Sequence, residues 1–252
     1  MAAQIFFKLR LKFIRTGTLD HSLDKRWTMH HGLQCAESDF CDEITGAPDT
    51  TFSLVYEGDP PSRVLLETPR FRLIVDMSPL CVGHLLLLPV DHYLSFAELI
   101  GEHSEELTAI LTEISSLYRH TFEQLTVLEH GSSATMGSSA CISHAHLHML
   151  PVDGHEVNSL IMADKIPSTA LSEIGELTSF RGEPYFLCGH EGKYRIFDGT
   201  RPIRSQYLRS IVGRLLGIPD PLWDYALVVR KDLLRETMAR TSSWRATSTD
   251  DK

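Results

Sequence analysis

Ser143-His144-Ala145-His146-Leu147-His148-Met149-Leu150 is the stretch on which the reading of this chain turns. Side chains alternate across a β-strand, so His144, His146 and His148 share one face while Ala145, Leu147 and Met149 take the other. Successive imidazoles on such a face stand roughly 7 Å apart. A single histidine there reads as a satisfied polar residue at a sheet edge. Three at period two, backed by an apolar face, point to a site.

Two chemistries suit the row. Histidines at this spacing can ligate zinc or iron, although the H-x-H-x-D-H context of many metallohydrolases is absent. Alternatively, a neutral imidazole can attack phosphorus and form a covalent phosphoramidate, which splits one hard displacement into two easier ones. That route needs groups that neutralise phosphoryl charge and backbone N–H donors nearby. The Gly-, Ser- and Thr-rich stretch 131–140 could supply the donors as an anion nest, or be a plain linker.

Outward from the row, the predicted strand covers 141–150 and ends at Pro151. Upstream, the apolar runs Val64–Glu67 and Phe71–Val75 flank Thr68-Pro69-Arg70, a strand-turn-strand pattern. A third run, Gly83-His84-Leu85-Leu86-Leu87-Leu88-Pro89, follows the Ser78-Pro79 turn and is stopped by proline. One helix is plain: Ser104 as N-cap, Glu105 and Glu106 at its positive end, and Leu107, Ile110, Leu111, Ile114, Leu117 and Tyr118 as its apolar stripe. Another strand is predicted at 125–129. From 37 to 59 every charge is acidic, which reads as a solvated approach to the core. Beyond Pro151, a hairpin is predicted about Gly189-His190-Glu191-Gly192. A second amphipathic helix carries Ile203, Tyr207, Leu208, Ile211, Val212 and Leu215.

The chain has 252 residues, 42% hydrophobic and 23% charged, enough to bury a real core. A formal charge of −9 argues against a nonspecific binder of nucleic acid polymers. No apolar run reaches bilayer length, so no membrane partner is expected. Five irregularly spaced cysteines make a poor disulfide framework and favour a reducing compartment, hence a cytoplasmic location. Basic residues without acidic ones up to Arg15 would suit a targeting segment, but Phe7 to Phe13 alternates as a strand does.

Taken with other segments, the row resembles the histidine triad (HIT) superfamily. His144-Ala145-His146-Leu147-His148-Met149-Leu150 is similar to the pattern that gives the family its name. Phe40-Cys41-Asp42-Glu43-Ile44, then Asp76-Met77-Ser78-Pro79-Leu80, Gly83-His84-Leu85-Leu86-Leu87-Leu88-Pro89 with His92, and Glu129-His130-Gly131 with Cys141 resemble further family segments, in the family's order. The later Ser205-Gln206-Tyr207-Leu208-Arg209 through Trp223-Asp224 is similar to the C-terminal extension of longer, bacterial-type members.

The resemblance implies an α+β HIT-like fold, a mostly antiparallel sheet with a long helix and a smaller C-terminal extension. With the alternation near the start read as an arm and the Ser-, Thr- and charge-rich end as a disordered tail, the chain divides into an N-terminal arm (1–36), a catalytic domain (37–155), the extension (156–236) and the tail (237–252). The resemblance implies a hydrolase of nucleoside phosphoanhydride, ester or phosphoramidate bonds that acts through a nucleotidyl-histidine. A nucleotidyltransferase or phosphorylase using the same intermediate, or a binding module without turnover, remains the alternative.

By the resemblance, His146 is the nucleophile, the His144 carbonyl fixes its tautomer, and His148 binds phosphate oxygens. Asp76 meets the ribose hydroxyls, His84 is a further site histidine, and Cys141 and Ser139 lie at the phosphate. Apolar residues about 71–74 cover the base. Some members hold zinc with Cys-x-x-Cys and two histidines. Here Ser38 and Cys35 stand three and six residues before Cys41, so a set of Cys41, Cys35, His92 and His144 departs from that pattern. No metal or other cofactor is expected. The partners implied are a small nucleotide and a second copy of the chain. Arg204, Arg209 and Arg214 could reach acidic substrate, though Arg209 and Arg214 read as a solvated helix face, and Trp223 reads as a packing anchor.

Overall fold

The computed structural model describes residues 38–134 and 144–244. The N-terminal arm, Cys35, Ser139 and Cys141 therefore lie outside the described residues.

Eight strands form one sheet, in the order β1-β2-β3-β5-β4-β7-β8-β6, and every pairing is antiparallel. The strands are β1 (Val64–Glu67), β2 (Phe71–Val75), β3 (Leu85–Pro89), β4 (Thr126–Gly131), β5 (Leu147–Leu150), β6 (Ser168–Leu171), β7 (Tyr185–His190) and β8 (Lys193–Asp198). The run Leu85–Pro89 is apolar at every position because β3 is buried on both faces. Leu73, Val75, Leu85, Leu87, Leu147 and Met149 join the core beneath the long helix. On the other face, register sets Ile74, Leu86, His148, Leu128 and Cys188 side by side across five strands. His148 is the one ionisable imidazole in that otherwise apolar row.

The segment 38–59, expected as a solvated approach, holds two short helices, α1 (Asp39–Ile44) and α2 (Thr51–Tyr56). Ser38 and Thr50 cap them, each side chain accepting a backbone N–H, and buried Phe40, Phe52 and Tyr56 anchor them. The long helix α3 (Phe96–Phe122) begins at Ser95 rather than at Ser104. Its backbone leaves helical geometry at His103 (φ −129°, ψ 23°), so Ser104 opens the second limb of a kinked helix.

The extension is not an appendage. Strand β7 pairs with β4 along its whole length, from Thr126 opposite His190 to Gly131 opposite Tyr185. Helices α4 (Gly154–Ala163) and α5 (Tyr207–Leu215) cover Leu128, Leu150, Phe186 and Phe197. The expected disordered tail is overturned over 237–244. Helix α6 (Lys231–Arg240) runs through Thr237, which is fully buried, and Trp244 is 2% exposed against Tyr118 and Phe122. The Trp244 indole donates to Thr121 Oγ1 at 3.1 Å, an apolar anchor that the polar composition around it conceals. No described helix is long and apolar enough to cross a membrane.

One buried carboxyl locks the two halves together. Glu129 on β4 accepts the Phe96 N–H at the start of α3 and the Tyr185 hydroxyl of β7, both at 2.7 Å. Burial pushes it up to about 7, against the pull of those two donors. Folded protein then holds a proton that unfolded chain releases between about pH 4.5 and 7, so this group's contribution to stability declines as pH rises through that window. A raised pKa of this size corresponds to about 3 kcal/mol. Chemical denaturation at pH 4.5 and 8 should show wild type losing on the order of 3 kcal/mol more than Glu129→Gln. Parallel curves for the two proteins would contradict this role.

Candidate active site

His146 and His148 stand together, with ring centroids 4.9 Å apart. His144 goes elsewhere. The strand predicted from 141 is formed only from Leu147, and both His144 and His146 precede it on irregular backbone. The turn before β5 directs the His144 ring to the Pro89 carbonyl, 2.9 Å from Nε2, and to Cys41 Sγ, 3.4 Å from Nδ1. What His144 offers its neighbour is its backbone: His146 Nδ1 lies 2.8 Å from the His144 carbonyl oxygen. A carbonyl only accepts, so Nδ1 carries the proton and Nε2 keeps its lone pair. The ring is half-buried and stands edge-on to Phe40, centroids 5.4 Å apart.

The protons along the rest of the row follow from the same accounting. The Leu80 N–H donates to His84 Nδ1 at 3.2 Å, so His84 carries its proton on Nε2. That nitrogen is 2.9 Å from His148 Nδ1 and 3.5 Å from Asp76 Oδ2. His148 accepts at Nδ1 and is left with an Nε2–H to donate. Burial pulls His84 down to about 4, with the Asp76 charge working against it. His148 is held well below the ordinary imidazole value, by burial first and by repulsion from His146 and His84 next. Burial also lowers His146. At neutral pH the row is uncharged.

Asp76, expected at the ribose, is 6% exposed and turned toward protein donors. Its Oδ1 accepts the Ser78 N–H at 2.7 Å and its Oδ2 accepts from Arg209 at 3.1 Å. Burial works to raise this carboxyl, but His84, Arg209, His148 and the Ser78 N–H outweigh it and hold it well below the carboxylate range. Of the apolar residues expected over the base, Ile74 clusters with Phe40, Leu86 and Leu88 on the His148 face, while Phe71 and Leu73 are buried under α3. Arg209 is not on a solvated face, being 5% exposed. Arg214 is exposed, and Arg204 pairs with Asp220 and stacks 4.4 Å over the buried Trp223 ring.

A second cluster lies beside the first. Cys41 Sγ is 3.3 Å from His92 Nδ1 and 3.4 Å from His144 Nδ1, and the three donor atoms lie within 4.8 Å of one another. The Ser38 hydroxyl donates to the same sulfur at 3.2 Å. Because His144 gives its Nε2–H to Pro89, its Nδ1 lone pair faces the sulfur, which is how metal-binding histidines are oriented. The donor set fits a soft divalent cation such as zinc. The sequence pattern pointed away from it because Ser38 stands where a second cysteine was sought.

A protein-family model, the HIT domain, matches residues 57–155. Among solved structures, a hypothetical histidine triad nucleotide-binding protein from Sulfolobus tokodaii is 23% identical, the match covering 40% of this chain and 68% of that one at a TM-score of 0.32. A HIT family member from Bacillus subtilis is 24% identical, covering 45% and 72% at 0.35. A zinc-bound histidine triad family protein from Mycobacterium smegmatis is 23% identical, covering 40% and 73% at 0.29. No match was found among curated proteins. Residues 57–155 of this chain therefore match the HIT domain, and the proposed chemistry of the site starts from that match.

Proposed function

We propose that this chain is a nucleotide hydrolase that works through a nucleotidyl group carried on His146. The observation that carries the reading is the 2.8 Å contact between His146 Nδ1 and the His144 carbonyl, which leaves Nε2 as a free nucleophile beside a donor-bearing His148. Nε2 attacks the α-phosphorus, and the bond from phosphorus to the leaving group breaks with its electron pair on that group. Water then attacks the same phosphorus and gives up a proton to solvent, the P–N bond breaks, Nε2 recovers its pair, and the departed group takes its proton from solvent. His148 Nε2–H donates to phosphoryl oxygens as charge builds on them. Phe40, Ile74, Leu86 and Leu88 form a buried apolar cluster on the sheet face that carries His148, and the Phe40 ring stands edge-on to His146. Ser139 and Cys141 toward the phosphate, and a homodimer in the cytoplasm, belong to the same reading. Zinc on Cys41, His92 and His144 would tie α1 to the turn before β5, a structural service away from phosphorus.

Long-range 1H–15N correlation NMR at pH 7 should find His146 protonated on Nδ1 and His84 and His148 on Nε2; an Nε2–H tautomer at His146 would contradict the assignment. A panel of nucleoside phosphoramidates, dinucleoside polyphosphates and nucleotidylated compounds, supplied with water alone, should be turned over to the nucleoside monophosphate. His146→Ala should lower kcat on the order of 10⁴-fold or more while mononucleotide binding stays measurable. An unchanged kcat would refute the nucleophile. Turnover only when phosphate or another acceptor is added would make the chain a transferase, and binding without turnover on the whole panel would make it a sensor.

A further inference from the structure

Arg209 lies 54 residues beyond the matched HIT domain, yet its guanidinium ends inside the site. Its Nε donates to the Trp223 carbonyl at 3.2 Å, Nη1 to Asp76 Oδ2 at 3.1 Å, and Nη2 to the Ser78 carbonyl at 2.7 Å. Both partners of the ion pair are buried, with side-chain exposures of 6% and 8%. A buried charge persists only where a partner and hydrogen bonds compensate it. Here the compensation has a further consequence. A lone carboxylate 3.5 Å from His84 Nε2 would draw a second proton onto that ring. Doubly protonated His84 could no longer accept the Leu80 N–H at Nδ1, and the ring would lose the orientation that presents Nε2–H to His148.

We propose that Arg209 is a positioning residue for this site: by holding Asp76 it keeps His84 singly protonated and aimed at His148, so the working unit extends past the HIT domain into α5. The proposal rests on the reading of His146 as nucleophile. Other ionisable groups also feel the cluster. Tyr56 and Cys81 stay protonated near neutral pH, burial pushing the Cys81 thiol up to about 12, and Arg230 adds a second, more distant positive charge. His146 faces His84 and His148 from the nucleophile side.

The test is the pH profile of kcat/KM for the full-length chain, with a nucleoside phosphoramidate that wild type turns over. Activity falls on the acid side as His84 takes up its second proton and loses the orientation that the Leu80 N–H gives it. Asp76 favours that proton and Arg209 opposes it, so the two substitutions should move the acid limb in opposite directions. Arg209→Gln should move it about one pH unit upward, and Asp76→Asn should move it downward. The double variant, with neither charge, should return to within about half a unit of wild type. A role in stability alone would lower Tm and the active fraction but leave every limb in place, and coincident limbs would overturn the proposal. If Arg209→Gln fails to fold, Asp76→Asn and the double variant, which buries no lone carboxylate, decide the matter by whether their limbs differ. Wild type that turns over substrate without nucleotide ever reaching His146 would sink the nucleophile reading instead, and that is read separately from the limbs.

Discussion

Uncharged imidazoles packed against a β-sheet face place a strict demand on their surroundings, because each ring nitrogen withdrawn from water must find a donor or an acceptor. In this chain the demand is met by a directional series. The His144 carbonyl takes the proton of His146, Pro89 takes that of His144, and the Leu80 N–H fills the second nitrogen of His84. His84 gives its own proton to His148, and Asp76 stands behind that contact with Arg209 behind it. The partners come from three parts of the chain, the segment 76–89, the turn into β5 and Arg209 of α5. Among the described residues, the nitrogen left with its lone pair and no donor on it is Nε2 of half-buried His146.

The same demand explains why the sheet continues past the matched domain. A HIT domain ending near residue 155 would leave the outer edge of β4 unpaired and Leu128, on the His148 face, uncovered. Strand β7 takes that edge, and α4 and α5 close over the face, which brings Arg209 to Asp76. On the opposite side, Glu129 and Tyr185 bind the start of α3 to β4 and β7. Extension and domain share one sheet, and the two larger buried clusters each draw residues from both.

Much of this was legible along the sequence. Leu85–Pro89 announces itself as a strand because burial on both faces leaves no polar position to blur the pattern, and in Phe71–Val75 only Arg72 interrupts it. His146, His148, His84 and Asp76 could be gathered from the resemblance to the family, and the structure brings them together. The failures have a common cause. Period-two alternation records an extended chain but not whether it is paired, so His144 and His146 read as strand although they lie before it. Ser104 looked like a helix start because the kink at His103 resets the helix there. Arg209 reads as solvated on the helix wheel, since its partner is 133 residues away and long-range pairing leaves no local mark. Thr237 and Trp244 are hidden by the Ser, Thr and charged residues around them, yet one buried indole suffices to anchor the segment.

These observations converge on a single nitrogen atom. The direct measurement is to mix full-length protein with an excess of a nucleoside phosphoramidate, quench within the first turnover under denaturing conditions that preserve phosphohistidine-type bonds, and map the digest by mass spectrometry. The expected result is the mass of one nucleotidyl group on the peptide carrying 144–150, with fragmentation placing it on His146. Product formed at full rate with that peptide unmodified at every time point, or the group found on another residue, would contradict the account.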